Sequence, residues 1–460
     1  PPRSTLFPYT TLFRSPNVIW IFGDQHRAQS WSGAGDPNLA TPNLDRMAAE
    51  GIVFRRALST YPLCCPARAA LLTGLHPHQT TVRGHEQPLD PAQPTVAHAF
   101  RAAGYHTAWF GKWHLDGFRE SDGRAAFHVV GRERRGGFDE WLGYDNNNSP
   151  WDCWAHGHGP RGEIPPYHLD GYETDAFTTR LLGYLQERKS AAAPFFAVLS
   201  LQPPHNPYAA PEEWMRRHTP ARVVLRPNVP DVPRITDRAR RELAGYHAMI
   251  ENLDWNVGRI RTALADLGLA RNTILVFFSD HGDMHGSHGQ FLKTCPWEES
   301  IRVPCIIAGE SPYYDRRQGV CDDLVTLTDL APTTLGLCGL EVPATMTGYD
   351  YSFRWRPDRR PKDGLPDAAV LQCLEPTLHP DSVDRPWRGI VTRDGWKYVV
   401  LEHQPWLLFN LTDDPFERVN LAHNSVHWQE RNRLHNLLRA QLDSAGDVFR
   451  LPDDPTFSSP

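Results

Sequence analysis

Two adjacent thiols, Cys64 and Cys65, stand immediately before Pro66, Ala67 and Arg68, and the run continues Ala-Ala-Leu-Leu-Thr to Gly74. Proline suits the first turn of a helix, so the pattern places Cys64 at a helix N-terminus, where free N–H groups and the dipole favour an anion. Arg68 then lies one turn on. Taken alone, two such cysteines read as ordinary buried thiols. A second set of groups sits where apolar runs end: Asp24-Gln25 after NVIWIFG, and Asp280-His281 after TILVFFS. Hard oxygen donors of this kind suit Ca²⁺, Mg²⁺ or Mn²⁺ better than a metal that prefers thiolate, although a lone Asp at a strand end is more often a helix cap.

The elements that must hold these groups follow from periodicity. NVIWIFG is a short apolar, β-rich run closed by Gly-Asp, the pattern of a buried parallel strand whose C-terminal end carries functional candidates. Residues 43–51 (NLDRMAAEG) predict a helix closed by Gly, and 95–104 predict another before a strand at 107–110. The alternation continues with a strand at 195–201, a helix at 238–267, strands at 273–279 and 303–308, and a helix at 328–340. This is an α/β domain with a mostly parallel sheet. After residue 345 short strands follow one another (AVLQC, RGIVTRDGWKYVVLE, PWLLFNL), predicting a small antiparallel sheet. Leu434, Leu437, Leu438 and Leu442 fall at helical spacing to cover one of its faces. The expected division is a catalytic domain over 16–345 and an α+β domain over 346–460.

The Cys-x-Pro-x-Arg run with its Leu-Thr-Gly continuation resembles the signature of the sulfatase family, and the resemblance extends from Asn17 to about Ala422. It implies an alkaline-phosphatase-like fold, hydrolysis of a small-molecule or carbohydrate sulfate ester, and conversion of Cys64, not Cys65, to formylglycine by a formylglycine-generating or anaerobic sulfatase-maturating enzyme. The hydrated aldehyde offers one hydroxyl to attack sulfur and a second to expel the sulfate, an exit that a plain Ser or Cys ester lacks. It also implies one divalent ion, Ca²⁺ foremost with Mg²⁺ or Mn²⁺ as alternatives, at Asp24, Gln25, Asp280 and His281. Lys112 and His114 in Gly-Lys-Trp-His-Leu, His205 in Pro-Pro-His-Asn-Pro and Lys293 in Gly-Gln-Phe-Leu-Lys-Thr look like active-site positions of that family. They would neutralise charge on the sulfuryl oxygens and let a histidine protonate the leaving alcohol. Gln25 resembles the Asp-Gln branch that includes both sulfatases and phosphonate monoester hydrolases, so hydrolysis of a phosphonate monoester or phosphodiester is the first alternative. A binding protein with an unmodified Cys64 is the second.

Two further features have blander readings. His285 and His288, in a Gly-rich loop after Asp283, read as lining the pocket rather than as a second metal site, because no helix fixes them on one face. Trp141, Tyr144, Trp151 and Trp154 read as packing of a long loop, with sugar or aryl stacking the alternative. A balance of 48 Lys and Arg against 54 Asp and Glu, net -6, lacks the basic footprint of a nucleic-acid binder. No apolar run approaches the roughly 20 residues of a membrane span. Eight scattered cysteines give neither a disulfide framework nor a paired metal site. Residues 1–15, PPRSTLFPYTTLFRS, repeat TLF and read as foreign to the protein. No signal peptide is legible, which favours the cytoplasm, with the true N-terminus read as missing.

Overall fold

The computed structural model describes residues 15–452 apart from 312, 313, 315, 357, 361–363 and 378–380; the foreign-looking segment therefore lies outside the described residues except for Ser15. Among the described residues fourteen strands form two sheets. The first ten are β1 (Asn17–Gly23), β2 (Gly51–Leu58), β3 (His106–Lys112), β4 (Glu140–Tyr144), β5 (Trp154–Gly159), β6 (Gly162–His168), β7 (Phe195–Leu201), β8 (Thr273–Ser279), β9 (Cys305–Gly309) and β10 (Gly319–Thr326). They build one sheet in the order β10-β2-β9-β8-β1-β7-β3-β4-β5-β6. The centre, β8-β1-β7-β3-β4, is parallel throughout. β9 runs antiparallel to both its neighbours, and β5 and β6 close the far edge as an antiparallel pair.

The strands β1, β7 and β8 are buried along their full length, which is why they read as unbroken apolar runs. One face carries Val18, Trp20 and Phe22 against the wholly buried helix Cys64–Thr73 and the helix Leu327–Leu337. The other carries Ile19 and Ile21 against the helices Glu173–Arg188 and Pro233–Asp266. Each strand thus alternates its side chains between two cores, the arrangement of a sheet covered on both sides. Gly51 closes the preceding helix as the sequence predicted, its backbone N–H donating to Ala48 O as the C-cap. That helix ends at Glu50 and Gly51 opens β2, where an added Cβ would meet Ile307 O at 2.5 Å.

The second sheet is antiparallel, in the order β11 (Ala368–Cys373), β12 (Trp387–Thr392), β13 (Trp396–Leu401) and β14 (Gln404–Asn410). The helix Trp428–Ala445 lays Leu434, Leu438 and Leu442 on one face, against Ile390, Tyr398 and Leu408. Its other face joins Leu371, Trp387 and Val399 to Leu58, Tyr61, Leu63 and Ile301 of the large sheet's surroundings. The segment that leads into Cys64 therefore rests on a second apolar layer. Among the described residues no helix is long and apolar enough to cross a membrane.

Candidate active site

The candidate side chains lie at or just beyond the C-terminal end of a central strand or in the helix Cys64–Thr73, except Lys293, which comes from the loop before the helix Glu298–Ile301. Asp24 follows β1, Lys112 ends β3, His205 follows β7 and Asp280 follows β8. Parallel strands deliver their C-terminal ends to one edge, so residues far apart in sequence meet there.

The convergence centres on the Cys64 sulfur. Sγ lies 3.4 Å from Asp24 Oδ1 and 3.2 Å from His281 Nε2, and it accepts a hydrogen bond from Lys293 Nζ at 3.1 Å. Lys293 also donates to Gln25 Oε1 at 2.9 Å. Burial and Asp24 both oppose ionisation of the thiol, yet Lys293, His281 and Lys112 outweigh them and hold its pKa below the usual value. At the neighbouring Cys65, burial together with Cys64 pushes the pKa up, and Lys112 opposes this only weakly. The structure thus separates two thiols that the sequence sets side by side.

Arg68 joins the carboxylates of this network. It is fully buried and spends every nitrogen within the protein: Nε on Asp280 at 3.0 Å, Nη1 on Ser200 Oγ and Lys112 O at 2.8 and 2.9 Å, and Nη2 on Asp24 at 3.2 Å. It thereby holds two carboxylates in place. Lys112 Nζ adds a 2.8 Å ion pair to Asp24 Oδ2. Burial alone would raise the Asp24 pKa, but Lys112, His205, Lys293 and Arg68 hold it well below the carboxylate range. Breaking one partner of so buried a network leaves a charge uncompensated, at a typical cost of about 3–5 kcal/mol.

Three of the four sequence-derived metal residues, Asp24, Asp280 and His281, meet here around Cys64. One ligand atom each from Asp24, Cys64, Asp280 and His281 lies within 4.8 Å of the others. His281 Nδ1 donates to Gly282 O at 2.9 Å, which turns the lone pair of Nε2 inward. Asp280 Oδ1 accepts from the backbone N–H of both Gln25 and His281, at 3.1 and 2.9 Å. The Gln25 amide is oriented from behind: Nε2 donates to Asp283 Oδ2 at 2.5 Å, leaving Oε1 toward the centre. Three oxygen-bearing side chains and one imidazole, completely buried, fit a hard divalent cation.

His114 and His205 flank this centre. His114 holds a left-handed φ of 58° and is 4% exposed; its ring nitrogens make no hydrogen bond, and its backbone N–H donates to Asp145 O at 2.7 Å. His205 donates from Nδ1 to Asn206 O at 2.6 Å, which sets Nε2 as its reactive nitrogen. Burial, reinforced by Lys112 at His114 and by Lys293 at His205, lowers both pKa values well below the ordinary imidazole value. Backbone strain clusters at the same edge, with positive φ also at Gln25, Leu292 and Thr294, a pattern associated with functional sites. Gly111, with φ 104°, leaves space before Lys112 that a Cβ would not have, since it would fall 1.9 Å from Ser200 O.

Not every expectation holds. His285 and His288 do not share a pocket lining. His285 packs behind Gln25, its ring 4.3 and 5.1 Å from those of Tyr246 and Tyr208, while His288 stacks on Trp297 at 5.1 Å. The loop's glycines instead serve close packing: a Cβ at Gly282 would lie 2.0 Å from Glu299 O. The aromatic group also divides. Trp141 and Tyr144 are buried, the latter donating to Glu173 Oε1 at 2.5 Å, whereas Trp151 is 47% exposed beside Tyr172. Residues missed from the sequence are Asp283 and Tyr208, whose hydroxyl also donates to Asp283 at 2.6 Å, and Ser279, which receives His26 N–H and donates to Gly23 O. In the sequence the Asp-His-Gly-Asp run is the one signal for Asp283.

The sulfatase family model matches residues 16–340, and the model described as N-sulphoglucosamine sulphohydrolase, C-terminal, matches 286–444. The ulvan-active sulfatase of Formosa agariphila is 34% identical over 456 residues, covering 95% of this chain and 83% of that protein. Among solved structures, yidJ of Bacteroides fragilis superposes with a TM-score of 0.81 at 27% identity, over 95% of this chain and 97% of that one. A protein in complex with its substrate D-glucosamine-2-N,6-O-disulfate superposes at 0.78 with 22% identity, over 97% and 100%, a likeness of fold. The large sheet with its flanking helices and the small antiparallel sheet form the alkaline-phosphatase-like architecture of these proteins, and the chain belongs to the sulfatase family as a sulfuric ester hydrolase.

Proposed function

We propose that Cys64, oxidised to formylglycine by a maturating enzyme, is the nucleophile of this sulfatase, that Asp24, Gln25, Asp280 and His281 hold one divalent ion, Ca²⁺ foremost, and that the ester is a carbohydrate sulfate. The observation that carries the reading is the convergence of Asp24, His281 and Lys293 on the single atom Cys64 Sγ, at 3.1 to 3.4 Å. When bound, the ion would orient the nucleophile and polarise the ester, and the hydrated aldehyde would supply the attacking and releasing hydroxyls. The carbohydrate class is supported by the sulfated glucosamine named as substrate in the structural relative.

The chain's own residues divide the remaining work. Arg68 holds Asp24 and Asp280 in place, Asp283 fixes the Gln25 amide, and Lys293 spans Gln25 and the nucleophile. Lys293 and Lys112 offset charge on the sulfuryl oxygens in a buried site, where electrostatic stabilisation is strongest. Peptide mass spectrometry of an active preparation tests the nucleophile: an aldehyde should replace the Cys64 thiol and leave Cys65 intact. Two unmodified thiols in active protein would refute the assignment.

His205 or His114 protonates the leaving alcohol in this scheme. Loss of a general acid costs typically 10²–10⁴-fold, and the cost rises with the charge that builds on the leaving oxygen. His205→Ala or His114→Ala should therefore slow an alkyl or sugar sulfate by about 10²-fold or more and an activated aryl sulfate far less. Equal losses on both substrates for both variants would remove these residues from the role.

The phosphorus alternative has its own comparison. Sulfate monoesters, phosphonate monoesters and phosphodiesters carry one negative charge, whereas phosphate monoesters carry close to two at neutral pH. The neutral Gln25 in the ligand set motivates an expected side activity on singly charged phosphorus esters, with little on phosphate monoesters. Measuring kcat/KM on matched aryl sulfate, phosphonate and phosphate esters decides it. A preference for phosphonate would favour the alternative, and a preference for phosphate would overturn the charge argument.

A further inference from the structure

A third histidine borders the site. His85 lies in a segment gripped from two sides: Arg83 Nε and Gln87 Nε2 donate to Glu375, beyond the end of β11, at 3.3 and 2.8 Å, and Glu86 Oε1 accepts from the backbone N–H of Glu120 at 2.9 Å. This grip brings the His85 ring edge-on to that of His114, with centroids 5.4 Å apart and planes at 90°. Its Nδ1 lies 3.8 Å from Glu86 Oε1.

Exposure is graded across the pocket. Asp24 and Lys112 are 0% exposed, Cys64 1%, Lys293 2% and His114 4%, whereas the His85 side chain is 28% exposed. The sulfuryl group must reach the buried Cys64, so the alcohol half of the ester extends toward the more exposed side, where His85 stands. Burial, Lys293 and Lys112 lower the His85 pKa to about 4, against a smaller opposing effect of Glu86. An uncharged imidazole both donates and accepts, which matches a hydroxyl better than a sulfate anion.

Resting on the sulfate-ester reading above, we propose that His85 is a specificity-determining residue that hydrogen-bonds a substrate hydroxyl on the carbon next to the sulfated one. A polyol such as a sugar presents that hydroxyl, and so does a catechol. The role differs from that of His114 and His205, which act on the leaving oxygen itself.

Two aryl sulfates separate these roles, because 4-nitrocatechol sulfate carries a hydroxyl beside the sulfate and 4-nitrophenyl sulfate does not. The full-length, matured enzyme and its His85→Ala and His85→Gln variants are compared by kcat/KM on both. The ratio of nitrocatechol to nitrophenyl substrate should fall about tenfold in His85→Ala, the equivalent of one lost hydrogen bond of about 1.4 kcal/mol. The fall should lie mainly in KM, and His85→Gln, which keeps a donor and an acceptor, should restore part of it. A structural role for His85 would lower both substrates together and leave the ratio unchanged. An unchanged ratio, with or without loss of rate, overturns the proposal. Wild-type protein of confirmed aldehyde and metal content that turns over neither ester would instead overturn the sulfate-ester reading, and this proposal with it.

Discussion

Cys64→Ala should reduce turnover by about 10⁴-fold or more, the scale on which enzymes lose a covalent nucleophile, while Cys65→Ala should retain most of it. The two thiols are neighbours in sequence and equally buried, at 1% exposure each, so burial does not distinguish them. Their surroundings do. Lys293, His281 and Asp24 surround the sulfur of Cys64, whereas Cys65 turns into the apolar core with Ala69, Leu72 and Val82. Cys65→Ala should cost stability instead, about 1 kcal/mol for a small cavity, read as a lowered Tm with kcat/KM on an aryl sulfate nearly unchanged. The converse, a dead Cys65 variant and an active Cys64 variant, would reverse the assignment.

The second large effect concerns the carboxylates. Asp24→Ala or Asp280→Ala should remove the bound divalent ion and with it about 10³-fold or more of the activity, since a Lewis acid contributes several kcal/mol of charge stabilisation. Metal content measured by mass spectrometry should fall from one equivalent to near zero. Asp24→Ala also strands Lys112 and one face of Arg68 in a dry interior, so it should lose more stability than Asp280→Ala, which strands the other face of Arg68 and removes a longer 3.9 Å pairing with His281. Asp24→Asn and Asp280→Asn keep the shape and help separate lost metal from lost folding. Full activity in protein shown to be metal-free would sink the assignment.

The sequence exposes most of the central fold because the central strands are buried on both faces. Thr273–Ser279 emerges with its observed bounds for that reason. The sheet edges are another matter. β10 reads GVCDDLVT and β6 reads GEIPPYH, with charges and prolines that blunt an exposed edge against further pairing and erase the apolar signal by which a strand is recognised. The direction of β9 was equally hidden, since a buried strand has the same side-chain pattern whichever way it runs. In the site, ten residues were legible through motif and spacing, and the structure brings them to one edge of the sheet. His85, Tyr208 and Asp283 were not, because their relation to Gln25 and His114 exists only after three loops and the second sheet have come together.

The burial of Cys64 also sets an order of events in the life of the molecule. Its sulfur sits at the head of a helix with no exposed residue, beneath Lys293, behind a segment gripped by Glu375. A second protein cannot engulf that stretch of chain while the fold stands. If Cys64 is the residue converted, the conversion must therefore precede folding, during or soon after synthesis, and the two processes compete for the same newly made chain. Whichever wins is permanent on the timescale of the folded state: protein that folds first is locked out of maturation, and mixing it later with the maturating enzyme should leave it thiol-bearing unless it is first unfolded.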